Sequence, residues 1–530
     1  KINILPISLP IDSYGYISFS DNLFNQGPWQ SRPFGYPLFL KISRIFDFFG
    51  LTLVILFQIF FYILASCLIY ISFKKYSNTI AFSFALIYSF TPAFQWININ
   101  TLADGLYAFF PVFIIFYTFK FFEKKKMIDF FLIFLLALIT SAFRPTYLVF
   151  FYIFISFNIF LFFKKKNKLS INLSFISKVV LSSIIMIFIF GNLNSKFSKN
   201  YGFHQLWIWN ISTSLCGNDK CFNIKNGPHA KNYFETVIQI INKDKAFKKV
   251  LSSTYDYKDS PKIIDENLFN LDAEELIQKI HKSTNHTPFV HIYGFLVNNI
   301  GFEETHKIIR NLSIETLYNH PSIIFRNLQS IYDFNNFFNL ELKNSSQHFK
   351  EGMYFAILPK PYDTLENQGM THLEKIKPKE YAQIIYGLEK FTGNTVKDYN
   401  KNSEKFFDLY NKIDDYSFIK KKFNDDKNNA FLFLYFLAYL NLFFLIFFKF
   451  FILIIIPIFS LFYFFKTLVF GNYDILEYVY FLSLLIFYSI FLIIALVTPS
   501  DIDRQINLNL SILFPLIIIF CINMKKYLRI

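Results

Sequence analysis

The stretch LTLVILFQIFFYILASCLIYISF at residues 51–73, followed at once by Lys74 and Lys75, decides the class of fold. It carries no charged side chain, and about 20 such residues are what a helix needs to cross ~30 Å of hydrocarbon. Similar runs follow at about 79–96, 104–122, 127–143, 146–163 and 175–193. Of the 530 residues, 53% are hydrophobic and only 17% charged, with a mean hydropathy of +0.34. A soluble chain of that make-up would have more apolar surface to hide than its polar residues could cover. The expected fold is an all-α polytopic membrane protein.

The basic residues set its orientation. Lys74-Lys75, Lys124-Lys125-Lys126 and the run from Lys164 to Lys168 fall at every second connection. The connections between them, 95–103 and 141–145, are short and carry one positive charge at most. The positive-inside rule puts the lysine clusters in the cytoplasm. Residues 1–45 are then outside, and the run ending near 193 returns the chain outside. The net charge of +15 follows from these clusters and needs no nucleic acid. Likewise the 75 phenylalanines read as compositional bias, not as a binding surface.

Residues 194–429 have mixed charge and amphipathic periodicity, as in Leu271–Ile280 and Glu303–Leu328, where Ile308, Ile309, Leu312, Ile314 and Leu317 recur at helical spacing. They predict a mostly helical domain outside the membrane. Four Asn-X-Ser/Thr triplets, at Asn210, Asn285, Asn311 and Asn344, read as chance in so Asn-rich a chain. Cys216 and Cys221 would close a short disulfide in an oxidising compartment. Cys67 and Cys521 lie in apolar runs and read as inert. Beyond 430 come apolar stretches at 431–465, interrupted by Lys449, at about 478–497 and at 508–523. One span (or three) in the first of these puts Asp501, Asp503 and Arg504 outside and the basic C-terminus inside. Two spans would reverse that and break the charge rule. The total expected is nine or ten transmembrane helices.

Ionisable residues at a membrane face mark functional sites more often than elsewhere. The outer connections hold Asp12, Asp21, Arg32, Asp104, Arg144, Asp501, Asp503 and Arg504, drawn from distant parts of the chain to one face. Carboxylates beside arginines at a lipid boundary suit a reaction on a lipid phosphate: a carboxylate deprotonates an acceptor or holds a metal, and Arg neutralises the departing phosphate. Structural roles compete with each assignment. Asp12 and Asp104 sit where helix caps or turns are expected, Asp21 reads as a helix-surface residue, and Arg32 and Arg144 suit headgroup anchors. His320-Pro321 reads as marking a helix start.

The segment from Asp12 through Tyr14, Gly15 and Asp21 to Gly27, followed by Ser31-Arg32-Pro33-Phe34-Gly35-Tyr36-Pro37, resembles the first outer loop of GT-C glycosyltransferases, among them the protein O-mannosyltransferases and the aminoarabinose transferases of lipid A. Pro33 and Phe34 are exchanged relative to that pattern. Leu102-Ala103-Asp104-Gly105 resembles the acidic opening of the family's fourth helix, Phe143-Arg144-Pro145 its Arg-Pro, and Leu317 to Arg326, with His320-Pro321, its His-Pro segment. Asp503-Arg504 stands where the family often has Arg-Tyr, without the Tyr. The resemblance covers roughly 10–190 and, loosely, 300–330 and 478–523.

It implies a polyprenyl-phosphate-linked sugar as donor and an inverting transfer to a lipid, glycan or protein acceptor at the outer face of a bacterial inner membrane. Asp12 would be the general base. Arg32, Tyr36, Arg144 and Arg504 would bind substrate, the arginines steadying the leaving phosphate. Asp104 would help bind the acceptor or a divalent metal, which only some branches of the family use. Members carry one transmembrane helix before the catalytic loop, so the resemblance also implies that residues precede Lys1. The oligosaccharyltransferase branch is disfavoured, because its Trp-Trp-Asp has only Trp207-Ile208-Trp209-Asn210 as a counterpart. Other readings are a surface-glycan polymerase or ligase, which fits the large outer segment, a transporter or flippase, and a non-catalytic receptor.

Overall fold

The structure, a computed structural model, describes residues 16, 20, 23, 33–43, 52–91, 94, 97–98, 103–163, 171–198, 224–243, 247–248, 251–255, 261–282, 292, 296, 299–322, 440, 443–444, 446–470, 474–497 and 502–528. Among them, seven helical stretches are long and apolar enough to cross a membrane, and two shorter apolar helices, Asn78–Phe90 and Met127–Phe143, accompany them. The chain is a helical polytopic membrane protein.

The first part of the bundle contains α1 (Gly35–Ser43), α2 (Thr52–Phe73), α3 (Asn78–Phe90), α4 (Asp104–Tyr107), α5 (Phe110–Lys124), α6 (Met127–Phe143), α7 (Val149–Phe163) and α8 (Leu173–Ser198). The second is α13 (Ile456–Phe470), entered through a π-turn at Phe451–Ile455, then α14 (Ile475–Val497) and α15 (Ile502–Leu528). α2 leaves Phe57, Phe60, Ile63 and Ile71 exposed, and α8 leaves Leu181, Ile184, Ile185 and Phe188 exposed. These positions lie along one face of each helix, an arrangement that is cheap only against lipid. Between the helices the contacts are mostly aromatic, as where Phe514 of α15 meets Tyr88 and Phe94 at centroid distances of 5.0 and 6.4 Å. Lipid tails are as apolar as the core, so close packing and buried hydrogen bonds hold such helices together. Asn158 of α7 and Tyr478 of α14 supply one, 3.0 Å apart and fully buried.

The bundle has two chemically distinct ends. At one, the turn after α2 brings Lys75 into an ion pair with Glu123 of α5, and Lys120 lies 3.1 Å from the buried Asp129 of α6. Lys125 takes the left-handed conformation that ends α5. α8 starts here, with Phe175 stacked on Phe121, and so does α14, with Tyr478 against Phe122. Asp474 and Glu477 open α14 with a reciprocal cap: each carboxylate accepts the other's backbone N–H, at 2.9 and 2.8 Å. Burial and the nearby Asp474 both raise the Tyr76 phenol pKa. α13 ends at this level too: Tyr463 stacks on Phe481 of α14 and lies 3.4 Å from Asn523, two residues before Lys525 in α15. The basic C-terminal turn of α15 therefore shares an end with Lys74-Lys75 and Lys124–Lys126. α1, the close of α6 and the start of α15 lie at the opposite end. Residues 431–465, for which the sequence allowed one to three crossings, contribute one membrane-length helix among the described residues, Ile446–Phe465.

α3 stops short of the expected run to 96. Thr91, ahead of Pro92, is extended (ψ 114°), as residues before proline tend to be. The helix's last carbonyls need partners. Tyr62 of α2 donates to the carbonyls of Tyr88 (3.0 Å) and Ser89, Ser66 donates to that of Ala85 (2.8 Å), and Thr91 donates to that of Ile87 (2.8 Å).

A second hydrophobic core lies within residues 230–312. It joins Tyr233, Phe234, Val237, Ile240 and Ile241 of α9 (Pro228–Lys243) to Leu276, Ile277 and Ile280 of α11 (Ala273–Lys282) and to Ile308, Ile309 and Leu312 of α12 (Phe302–Asn319). Between α9 and α11 stand an antiparallel pair, β1 (Ser253–Tyr255) and β2 (Pro261–Ile264), and the single turn α10 (Glu266–Phe269). The unit is thus helical with one short hairpin. Ile314, expected on the apolar stripe, is 54% exposed; the stripe ends at Leu312 with only Leu317 packed beyond it. His320 closes α12: its N–H donates to Thr316 at 2.9 Å, and the residue before a proline resists helical geometry. Ser322, directly after Pro321, is again helical. The His320 ring meets Asn226 Oδ1 at 3.1 Å. The Glu315 carboxylate accepts the N–H groups of His229 and Ala230 at the start of α9, 3.2 and 2.7 Å away. Glycine is required at Gly227, whose φ is +148° and whose missing Cβ would collide with that carboxylate.

Candidate functional site

At the end of the bundle opposite the lysines, a chain of buried polar groups crosses five helices. It centres on Asp104 and Arg144. Arg144 terminates α6 because Pro145 follows: the backbone turns extended (φ −142°, ψ 108°) before the 3-10 turn Pro145–Leu148, which throws the side chain sideways across the bundle end. Its Nε donates to Asp104 Oδ1 at 3.0 Å, and its Nη2 donates to the same oxygen. Asp104 is 3% exposed. It occupies the first residue of α4 and makes no cap; the capping position is Ala103. Both of the Arg144 bonds fall on Oδ1, which makes the carboxylate an anchor for a cation.

On one side the guanidinium carbon sits 5.4 Å from the Tyr107 ring centre. The Tyr107 hydroxyl donates to Asn509 Oδ1 of α15 at 2.9 Å. On the other side Gly105 lies against Gln58. A Cβ there would come within 2.7 Å of the Gln58 side chain, so glycine lets α4 press onto α2. Gln58 is fully buried and donates to the Asn98 carbonyl at 2.7 Å, while its Oε1 accepts the Tyr36 hydroxyl at 3.2 Å. Burial, then Tyr16 and Asp104, hold the Tyr36 phenol well above its ordinary pKa, so it stays a donor. Tyr36 in turn meets Tyr16 edge-on at 5.2 Å. Gly35 makes this possible: a Cβ there would stand 2.6 Å from the backbone of Ala142, two residues before Arg144. The buried Asn98 Oδ1 has no hydrogen-bond partner among the described residues, an acceptor that a hydroxyl group would satisfy.

Of the residues singled out by sequence, Asp104, Arg144 and Tyr36 come together here. Arg504 lies in α15 five residues before Asn509, and only its backbone falls among the described residues. Asp12, Asp21, Arg32, Asp501 and the Cys216–Cys221 pair lie outside them, as does the side chain of Asp503. Gln58, Asn98, Tyr107 and Asn509 were not foreseen, since neutral polar side chains inside apolar runs give no charge signal. Among the described residues no three His, Cys, Asp or Glu side chains group as metal ligands would. Chemically the site offers a fixed guanidinium at the membrane boundary, which favours a planar or tetrahedral oxyanion. Comparison with protein-family profiles, with curated proteins and with solved structures finds no match to this chain.

Proposed function

We propose that this protein is a membrane glycosyltransferase of GT-C type that moves a sugar from a polyprenyl-phosphate donor to an acceptor at the outer face of a bacterial inner membrane, with residues 194–429 outside. The observation that carries this reading is the Arg144 guanidinium, locked by Asp104 at the bundle end opposite the lysine clusters. A phosphate whose polyprenyl chain lies in the bilayer would meet it at the boundary.

In this reading the acceptor hydroxyl or amine attacks the anomeric carbon while Asp12 takes its proton. The bond from that carbon to the phosphate oxygen breaks on the opposite face, so the carbon inverts. The polyprenyl phosphate leaves with the bonding electrons, and its growing charge is met by Arg144, assisted by Arg32 and Arg504. Asp104 fixes Arg144 through its Oδ1 oxygen. Tyr36 and Gln58 hold the first loop against α2, and Asp12 stands four residues before Tyr16 in that loop. A transporter would carry its charged site near the midplane on broken helices, whereas Asp104 opens its span.

The test is sugar transfer by the purified protein from a panel of polyprenyl-phosphate sugars, wild type against Asp12→Asn. Transfer by the wild type and its loss in a variant with unchanged thermal unfolding support the assignment. Undiminished transfer by Asp12→Asn removes Asp12 as the base, and a folded wild type inert to every donor removes the activity.

A further inference from the structure

We infer that Tyr107 is a positioning residue through which α15 sets the place of Arg144, so that anion binding at Arg144 depends on the Tyr107–Asn509 hydrogen bond. The inference rests on the proposed function only in taking a polyprenyl phosphate as the anion. Two facts carry it. The guanidinium is held from two directions, by the Asp104 carboxylate and by the Tyr107 ring face. The ring in turn is pinned at its hydroxyl by Asn509, 3% exposed on α15.

An aromatic ring held only by apolar contacts slides and tilts; one tied at its para oxygen to a neighbouring helix is restrained in both. A cation over that ring inherits its position. Asp104 fixes the Nε edge of Arg144, and Tyr107 fixes the tilt of the guanidinium, hence the direction in which it addresses an anion. The α15 helix that supplies Asn509 also carries Arg504 one and a half turns earlier, about 7.5 Å along the axis. The latch therefore registers α15 against the ring that the Arg144 guanidinium faces.

The test measures binding of undecaprenyl monophosphate to the full chain in detergent, by ligand-dependent thermal shift, for wild type, Arg144→Gln, Tyr107→Phe and Asn509→Leu. Tyr107→Phe keeps the ring and removes only the hydroxyl; Asn509→Leu keeps the bulk and removes the acceptor oxygen. We expect Arg144→Gln to abolish binding and Tyr107→Phe and Asn509→Leu each to weaken it about tenfold, the worth of one buried hydrogen bond. Their combination should be no weaker than either alone. Wild-type affinity in Tyr107→Phe or Asn509→Leu while Arg144→Gln binds nothing overturns the latch and leaves the function standing. Wild-type affinity in Arg144→Gln overturns both. If Asn509→Leu fails to fold, Tyr107→Phe against wild type decides the matter alone.

Discussion

Asp104 and Arg144 depend on each other: either charge alone at this depth would be left without its counter-ion. Asp104→Asn is expected to lower stability by on the order of 2 kcal/mol, the worth of a hydrogen bond to a charged group, because Arg144 remains. The double variant with Arg144→Gln should recover most of that loss in thermal unfolding while sugar transfer stays roughly 10²–10³-fold down, the usual cost of removing a charge stabiliser. A double variant as unstable as Asp104→Asn would show that the pair is not the unit described here. Gly35→Ala should cost about 1–3 kcal/mol, since the Ala142 backbone it would strike cannot move as a side chain can. A melting temperature equal to wild type would argue against that close approach. These two charged residues were legible in the sequence because charges are rare in apolar runs. Tyr107 and Asn509 were not: Tyr and Asn abound throughout this chain, and nothing local to either residue tells that the other is its partner.

Among elements, α3 is the instructive one. Apolarity from 79 to 96 suggested a full crossing, yet 13 residues span only about 20 Å, and Thr91-Pro92 ends the helix where hydrophobicity alone gives no warning. An end buried beside other helices needs hydrogen-bond donors, and α2 supplies them from Tyr62 and Ser66, which reading by hydropathy counts merely as tolerable in a span. Tyr62→Phe should therefore destabilise the protein by about 1–3 kcal/mol, the cost of unsatisfied buried carbonyls, and speed amide exchange in the last turn of α3. Unchanged exchange there would mean that Tyr62 is dispensable to the helix end. The second core shows the reverse case. Its core positions in α12 followed from the 3.6-residue period as far as Leu312, whereas the role of Glu315 at the start of α9 depends on a partner 86 residues away.

For the whole molecule, the alternation of lysine clusters with bare connections foretold that the chain's turns separate into two ends, and the helices are arranged that way. What it could not tell was which segments meet at the end opposite the lysines, because loop charge separates the two ends and carries no lateral address. With the four native cysteines replaced by serine, single cysteines at Lys75, Lys126 and Lys525 should react with a membrane-impermeant thiol reagent from one side. A cysteine at Lys196, at the far end of α8, should react from the other. Labelling of Lys525→Cys from the Lys196 side would contradict the described course of α15. The hydrogen bond between Tyr107 and Asn509 joins residues 402 positions apart. At 5–20 residues per second, a ribosome needs about 20–80 s to travel between them. For that interval the nascent phenol sits in the bilayer with its eventual acceptor not yet made, so this end of the bundle is completed only once α15 has been synthesised, and a chain that stalls before α15 leaves the Tyr107 hydroxyl without Asn509.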